Sequence, residues 1–118
     1  MLRLNLVVIR SVDPSKTVSF YEMLGMTFRH EQHGSGPVHW AADVDGIVLE
    51  IYPVKSEEEV DTTTRLGFNV DDAASVLNTL RLSQVEIVSE LKQTNWGLRA
   101  VVRDSDGRSV ELVQPKSP

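Results

Sequence analysis

Two glutamates are candidates for chemistry, because each lies in a stretch with the pattern of a returning hairpin strand. Glu50 follows Asp45-Gly46, and Glu111 follows Asp106-Gly107. An Asp-Gly pair next to alternating apolar residues is typical of a β-hairpin. A carboxylate within such a strand is costly to bury, and two nearby carboxylates shift each other's pKa values, as in general acid–base pairs. The pattern indicates a site built by duplication, with Glu50 and Glu111 as candidate catalytic residues.

The repeat extends to the rest of the chain. Asp13 and Asp72 each precede a predicted helix as its N-cap, and they are 59 residues apart, while the two glutamates are 61 apart. Each half therefore predicts strand, helix and three further strands. We expect one domain made of module one (1–53), an acidic solvated linker (54–63) and module two (64–118). In module one the predicted strands are 3–12, a strand that begins with residues 26–29 and is interrupted at 34–37, then 38–42 and 47–52. In module two they are 64–70, 85–88, 96–103 and 109–113.

Composition narrows the classes of partner. The chain has 118 residues, a formal net charge of −5 and no cysteine, and its lysines and arginines form no cluster. We therefore expect no nucleic-acid partner. No apolar run approaches the roughly 20 residues that span a bilayer. A soluble cytoplasmic protein without a membrane partner is the expectation.

These motifs, in this order, resemble the vicinal oxygen chelate superfamily of glyoxalases, bleomycin-resistance proteins and extradiol dioxygenases. The matching segments are 19–25, where Phe20-Tyr21 and Leu24-Gly25 look like the family's helix end, and 49–53, 68–72 and 104–112. The resemblance implies an α+β fold in which two tandem βαβββ modules form an open cup-shaped mixed sheet with helices on the outside. It also implies a small-molecule ligand in the cup and assembly as a homodimer.

Strand alternation then divides the neighbouring residues between two faces. If Glu50 and Glu111 face the cup, their strand neighbours two positions away do so too. These neighbours are Val48, Tyr52, Ser109 and Val113, while Ile47, Leu49, Ile51, Val110 and Leu112 are expected to pack against the helices.

The resemblance also implies four metal-ligand positions, one on the first and one on the last strand of each module. Glu50 and Glu111 match the last-strand positions. The family spacing puts the other two at Leu6 and Arg65, which are not metal ligands, and the arginine would repel a divalent cation. We therefore expect no metal and no cofactor.

One alternative keeps a metal. A two-residue Asp45-Gly46 turn pairs Ala41 with Glu50 and leaves His39 on the same face as Glu50. Glu50, Glu111 and His39 would together suit a divalent metal. Otherwise His39 is a hydrogen-bonding pocket residue and a third candidate catalytic group. His30 and His33 are expected to be exposed, without assigned chemistry.

Four further residues are candidate ligand-binding groups. Arg65 and Arg10 either neutralise the glutamates or, with Tyr52, bind a small anion or a polar aromatic compound. Trp96 either stacks on a planar ligand or packs against the protein. The glycine-containing segment 33–37 is either a connecting loop or a flap.

Three functions remain open from the sequence. The first is a metal-independent small-molecule pocket, acting as a binding protein or as a lyase or isomerase. The second is a divalent-metal-dependent lyase or dioxygenase that uses Glu50, Glu111 and His39. The third is a dimeric interaction module with a vestigial pocket.

Overall fold

A strand, a helix and three strands occur twice in succession along the chain. The computed structural model describes residues 1–117, and it divides into a unit from Met1 to Asp61 and a second unit that begins at Thr62. Module one contains β1 (Leu6–Ser11), α1 (Pro14–Met23), β2 (Phe28–Glu31), β3 (His39–Val44) and β4 (Ile47–Pro53). Module two contains β5 (Leu66–Asn69), α2 (Ala73–Leu82), β6 (Ile87–Thr94), β7 (Gly97–Arg103) and β8 (Ser109–Pro115).

Each module folds into its own four-stranded mixed sheet. The strand orders are β1-β4-β3-β2 and β5-β8-β7-β6. In each sheet the first and last strands of the module pair in parallel, and the other neighbours are antiparallel. The predicted α+β class with two tandem βαβββ modules is confirmed. The segment between the modules holds one 3-10 turn, Glu57–Glu59.

Some strand boundaries differ from the predicted ones. β1 begins at Leu6, because residues 1–5 are exposed and meet the sheet at their end, where the Asn5 carbonyl accepts a 2.9 Å hydrogen bond from the Val48 N–H. β6 continues to Thr94, well past the predicted end at residue 88, and its pairing with β7 contains irregularities. Such bulges break the apolar alternation on which strand prediction depends.

Both helices begin at a capping aspartate, as predicted. The Asp13 carboxylate accepts hydrogen bonds from the Ser15 hydroxyl at 2.8 Å and the Lys16 backbone N–H at 3.4 Å. The Asp72 carboxylate accepts one from the Ser75 backbone N–H at 3.0 Å. These bonds satisfy N–H groups that the first helical turn leaves unpaired.

The helices cover one face of each sheet with apolar side chains, and four of the five residues expected on that face are buried, whereas the fifth, Ile47, is only partly buried. On the last strands, Leu49, Ile51, Val110 and Leu112 are all at most 4% exposed, whereas Glu50 and Glu111 are only partly covered. The buried apolar residues of module one include Ile9, Phe20, Tyr21, Ala42, Leu49 and Ile51; those of module two include Ala73, Leu77, Leu80, Ala100, Val102, Val110 and Leu112.

The two Asp-Gly turns differ in length by one residue. Asp45 and Gly46 form the first, with φ angles of 50° and 85°, as a two-residue hairpin turn of the primed type requires. The second has three residues, 105–107, between Asp104 and Arg108, whose backbones bond at 2.9 Å. No helix within residues 1–117 is long and apolar enough to cross a membrane.

Candidate functional site

Glu50 lies in the middle of β4, between β1 and β3. Ala41 is its partner on β3, as the two-residue turn predicted, and Val8 is its partner on β1. The side chain of Glu50 is 14% exposed, so it is largely removed from water. A mostly buried carboxylate needs a polar or charged neighbour.

His39 supplies that neighbour. Its side chain is 1% exposed, and its Nε2 lies 3.4 Å from Glu50 Oε2. The ring stacks on Tyr52 with centroids 4.2 Å apart and an angle of 11° between the planes. The Nδ1 atom lies 3.3 Å from the Pro37 carbonyl oxygen, which can only accept, so Nδ1 carries a hydrogen. Nε2 is therefore the atom that His39 directs at the carboxylates.

A second carboxylate, Glu31 at the end of β2, faces the same nitrogen. Glu31 Oε1 lies 3.4 Å from His39 Nε2, and its other oxygen accepts a 2.7 Å hydrogen bond from Arg29 Nε. The Arg29 hydrogen bond is the main reason why the pKa of Glu31 is lowered, against the opposing effect of desolvation. Arg29 also bonds Asp43 at 3.2 Å, so its charge is shared. Glu31 is thus an oriented anion next to a buried imidazole.

His33 completes the group from the loop between β2 and β3. Its Nε2 lies 3.7 Å from Glu31 Oε1, and its ring centroid is 5.2 Å from that of His39. The loop is closed by hydrogen bonds from the Gly36 N–H to the His33 carbonyl at 3.0 Å and from Gln32 Nε2 to the Gly36 carbonyl at 2.8 Å. One ligand atom from each of Glu31, His33, His39 and Glu50 lies within 4.8 Å of the other three.

The metal positions implied by the family pattern do not fit this chain. The register places Val8 directly beside Glu50 and Gly67 directly beside Glu111. The residues that the family spacing had suggested, Leu6 and Arg65, lie two positions earlier. None of these four side chains ligates a divalent metal. In neither module does the first strand supply a ligand.

Glu111, the counterpart of Glu50 in module two, has a cation as its partner. Arg99 Nε donates a short hydrogen bond to Glu111 Oε1, and the two side chains are 29% and 36% exposed. The absence of a side chain at Gly67 leaves room beside the carboxylate, because a Cβ there would lie 3.2 Å from Glu111 Oε2. Glu111 is therefore a half-exposed, charge-compensated carboxylate.

Two cavities open beside Glu111. One has a volume of about 320 Å³ and is lined by Asn69, Trp96, Glu111 and Val113. The other, of about 260 Å³, is lined by Arg65, Leu66, Gly67 and Glu111. Trp96 is 73% exposed, in the turn before β7. The structure thus brings three of the candidate residues, Arg65, Trp96 and Glu111, to one part of module two.

The remaining candidates lie in module one. Tyr52 contacts His39 through its ring, and its hydroxyl is 3.5 Å from His39 Nε2. The Arg10 guanidinium lies over the Tyr52 ring, with its Cζ 5.5 Å from the ring centroid. Cations stack favourably on tyrosine at this range. His30 is exposed, as expected, and contacts Trp40 edge to face.

Sequence reasoning missed three residues of these two groups. Glu31 and His33 were not considered as partners of His39, and no turn motif fixes how β2 pairs with β3. Arg99 did leave a signal, because it lies 60 residues after His39 in the second copy of the repeat. Carrying each module-one candidate forward by one period would have identified it.

The chain was compared with protein families and with solved structures. The model of the glyoxalase/bleomycin resistance protein/dioxygenase superfamily matches residues 3–112. The comparison with curated proteins found no match. TnmS3, an antibiotic binding protein from Streptomyces sp. CB03234, is similar in structure, with 22% identity, a TM-score of 0.79 and 98% of each chain covered.

Two other solved structures are similar along most of their length. The oxidase ChaP-H2 has 16% identity and a TM-score of 0.79, with 98% of this chain and 94% of that chain covered. The trypanothione-dependent glyoxalase I of Leishmania major has 25% identity and a TM-score of 0.75, with coverage of 97% and 87%. Because the family model spans nearly the whole sequence and the fold agrees, the chain belongs to the glyoxalase/bleomycin resistance protein/dioxygenase superfamily.

Proposed function

We propose that the protein binds a small molecule against the surface of module two that carries Glu111. The supporting observation is that two cavities, of about 320 and 260 Å³, share Glu111 in their lining. Ligand pockets in proteins have volumes of about 300–1,000 Å³. A planar molecule of moderate size fits that scale.

The lining residues indicate the chemistry of the ligand. Trp96 offers an exposed indole for stacking, and Asn69 offers an amide that both donates and accepts. Arg65 lines the neighbouring cavity, and its guanidinium suits a carboxylate or an acidic hydroxyl. We therefore propose a planar aromatic ligand with an anionic or acidic oxygen. A protein of the same fold described as antibiotic-binding, TnmS3, supports a binding function for this scaffold.

The experiment is a tryptophan fluorescence titration with 3-hydroxy-2-naphthoate, a planar aromatic acid. The chain has two tryptophans, so Trp40→Phe isolates the signal of Trp96, and Trp96→Phe isolates that of Trp40. We expect saturable quenching in Trp40→Phe. Because Trp96→Ala lacks the reporting indole, its affinity is measured by calorimetry, and it should bind about 3- to 10-fold more weakly, the loss that one aromatic stacking contact corresponds to. No quenching across a panel of such acids would contradict the proposal.

A catalytic role is the second candidate, and the 3.4 Å contact between His39 Nε2 and Glu50 Oε2 favours it. An imidazole beside a carboxylate is a general acid–base unit, and this pair would let module one serve a lyase or isomerase. Glu111 has a different partner, Arg99, within module two. The test is turnover: Glu50→Gln should abolish any isomerase or lyase activity found, while Glu111→Gln should mainly change substrate binding.

A homodimer in the cytoplasm remains our expectation for assembly and location. The alternative of an interaction module with a vestigial pocket makes a separate claim, namely that assembly does not depend on the carboxylates. The oligomeric state of the parent and of the double variant Glu50→Gln/Glu111→Gln, measured by sedimentation, tests this claim. An unchanged dimer together with absent ligand binding by the parent would favour the interaction module.

A further inference from the structure

We propose that module one holds a divalent metal ion on Glu31, His33, His39 and Glu50. These residues come from β2, the β2–β3 loop, β3 and β4, so the whole site lies within one module. This set shares only Glu50 with the positions that the family pattern implies. It does not depend on the ligand proposed for module two.

Three of the six distances between the ligand atoms are close to those around a bound metal, and all six are within 4.8 Å. His39 Nε2 is 3.4 Å from both Glu31 Oε1 and Glu50 Oε2, and His33 Nε2 is 3.7 Å from Glu31 Oε1. Bonds of about 2.0–2.2 Å arranged as a tetrahedron around zinc place the ligand atoms roughly 3.3–3.6 Å apart. Two imidazole nitrogens and two carboxylate oxygens form a donor set that suits zinc and other first-row divalent cations.

His39 is prepared for this role by its other nitrogen. Nδ1 donates to the Pro37 carbonyl, so the lone pair of the neutral ring is on Nε2, the atom aimed at the carboxylates. Metal-binding histidines commonly donate their second N–H to a backbone carbonyl, which fixes the ring and its tautomer. The ring is also clamped by Tyr52 at a centroid distance of 4.2 Å.

The charge of the group favours a cation at its centre. With neutral His39, two carboxylate oxygens and the Nε2 lone pair face one another in a site where His39 is 1% exposed. Arg29 compensates only part of this charge, because it bonds the outer oxygen of Glu31 and shares itself with Asp43. A proton on His39 would neutralise one charge, but it gives no reason for His33 Nε2 to converge on the same point. A divalent ion satisfies all four ligand atoms.

The test is a competition titration of chelator-treated protein with Zn²⁺ and a chromophoric chelator. We expect about one zinc per chain for the parent. His39→Gln should weaken zinc binding by at least about 100-fold, more than the 10- to 100-fold that loss of an outer partner costs. His30→Gln is the matched control, since His30 lies next to Glu31 on β2 but contacts Trp40 instead, and it should bind zinc like the parent.

His33→Gln tests whether zinc binding is lost without loss of folding, because His33 is 74% exposed and its ring contact is with His39, itself a member of the proposed site. It should weaken zinc binding by about 10-fold while the circular dichroism stays unchanged. Absence of zinc uptake by the parent would overturn the proposal and favour a protonated His39 between two carboxylates. Uptake that is equal in the parent, His39→Gln and His33→Gln would also overturn it, because the zinc would then be bound elsewhere.

Discussion

Equivalent positions in the two modules carry different partners for the same glutamate. Ala41 pairs with Glu50 in module one, and Val101 pairs with Glu111 in module two. Two residues before these partners stand His39 and Arg99, which therefore occupy corresponding positions. In one module the glutamate meets an imidazole, and in the other it meets a guanidinium.

The difference continues on the neighbouring strand. Glu31 pairs with His39, whereas Lys92 pairs with Arg99. On β2, β3 and β4 of module one the three side chains are thus glutamate, histidine and glutamate, and their counterparts on β6, β7 and β8 of module two are lysine, arginine and glutamate. In each module the last-strand glutamate pairs two residues further along the middle strand than the histidine or arginine. The same backbone places an anionic group in one copy and a cationic group in the other. The duplicated backbone determines where these side chains lie. The residue types at two positions, Glu31 and His39 in module one and Lys92 and Arg99 in module two, determine whether the group favours a bound cation or a bound anion.

The largest expected effect on stability comes from the residue that follows the Asp-Gly turn, which also differs between the modules. Arg108 is 1% exposed and donates to Asp104 at 2.8 Å, while Ile47 occupies the matching place after the first turn. Arg108→Ala removes the cation from a buried carboxylate, so the free energy of unfolding should fall by about 3–5 kcal/mol. Urea denaturation measures this.

Ile47→Ala is the matched control for Arg108→Ala. Ile47 is only partly buried, so its truncation should cost less than the about 2–5 kcal/mol of a core isoleucine. Equal losses in the two variants would mean that the buried ion pair adds nothing beyond apolar packing.

A smaller change in the free energy of unfolding is expected when either glutamate is neutralised, and it should differ between Glu50 and Glu111. The Arg99–Glu111 pair is about one-third exposed, so Glu111→Gln should lower the free energy of unfolding by only about 0–1 kcal/mol. In metal-free protein, Glu50→Gln should leave it unchanged or raise it, because a carboxylate is removed from the vicinity of Glu31. A large loss for Glu50→Gln in metal-free protein would show that His39 is protonated and pairs with it.

The smallest effect is a pH dependence at the first helix. The Ser15 hydroxyl bond is the main cause of the lowered pKa of Asp13. A carboxylate with a depressed folded pKa stabilises the protein above its unfolded pKa, about 3.9, and this contribution is lost as the pH falls through the folded value. The stability difference between the parent and Asp13→Asn should be constant from about pH 7 to 5 and shrink below about pH 4. A difference that persists at acidic pH would contradict the role of the charged cap.

The fold, the two glutamates and His39 could be predicted from the sequence because the patterns that indicate them are local. An Asp-Gly turn of two residues fixes strand register, which correctly placed Ala41 opposite Glu50 and brought His39 to the same face. The capping aspartates and the alternation on β4 and β8 placed the helices and the core in the same way. These patterns each span only a few residues.

The remaining site residues depend on pairing that no local motif sets. Glu31 and His33 reach His39 only because the loop of residues 32–38 folds back with its own hydrogen bonds. The bulges in β6 likewise hid the register that brings Lys92 opposite Arg99. Which cation or anion each glutamate meets therefore required the structure.

The most direct test of the contrast between the modules is the zinc stoichiometry of Glu50→Gln and Glu111→Gln, measured side by side with the parent protein. Both variants replace a glutamate by its neutral isostere at equivalent positions on the last strand. We expect about one zinc per chain in the parent and in Glu111→Gln, and strongly weakened binding in Glu50→Gln. Equal loss in both variants, or equal retention, would contradict the assignment of different roles to the two glutamates.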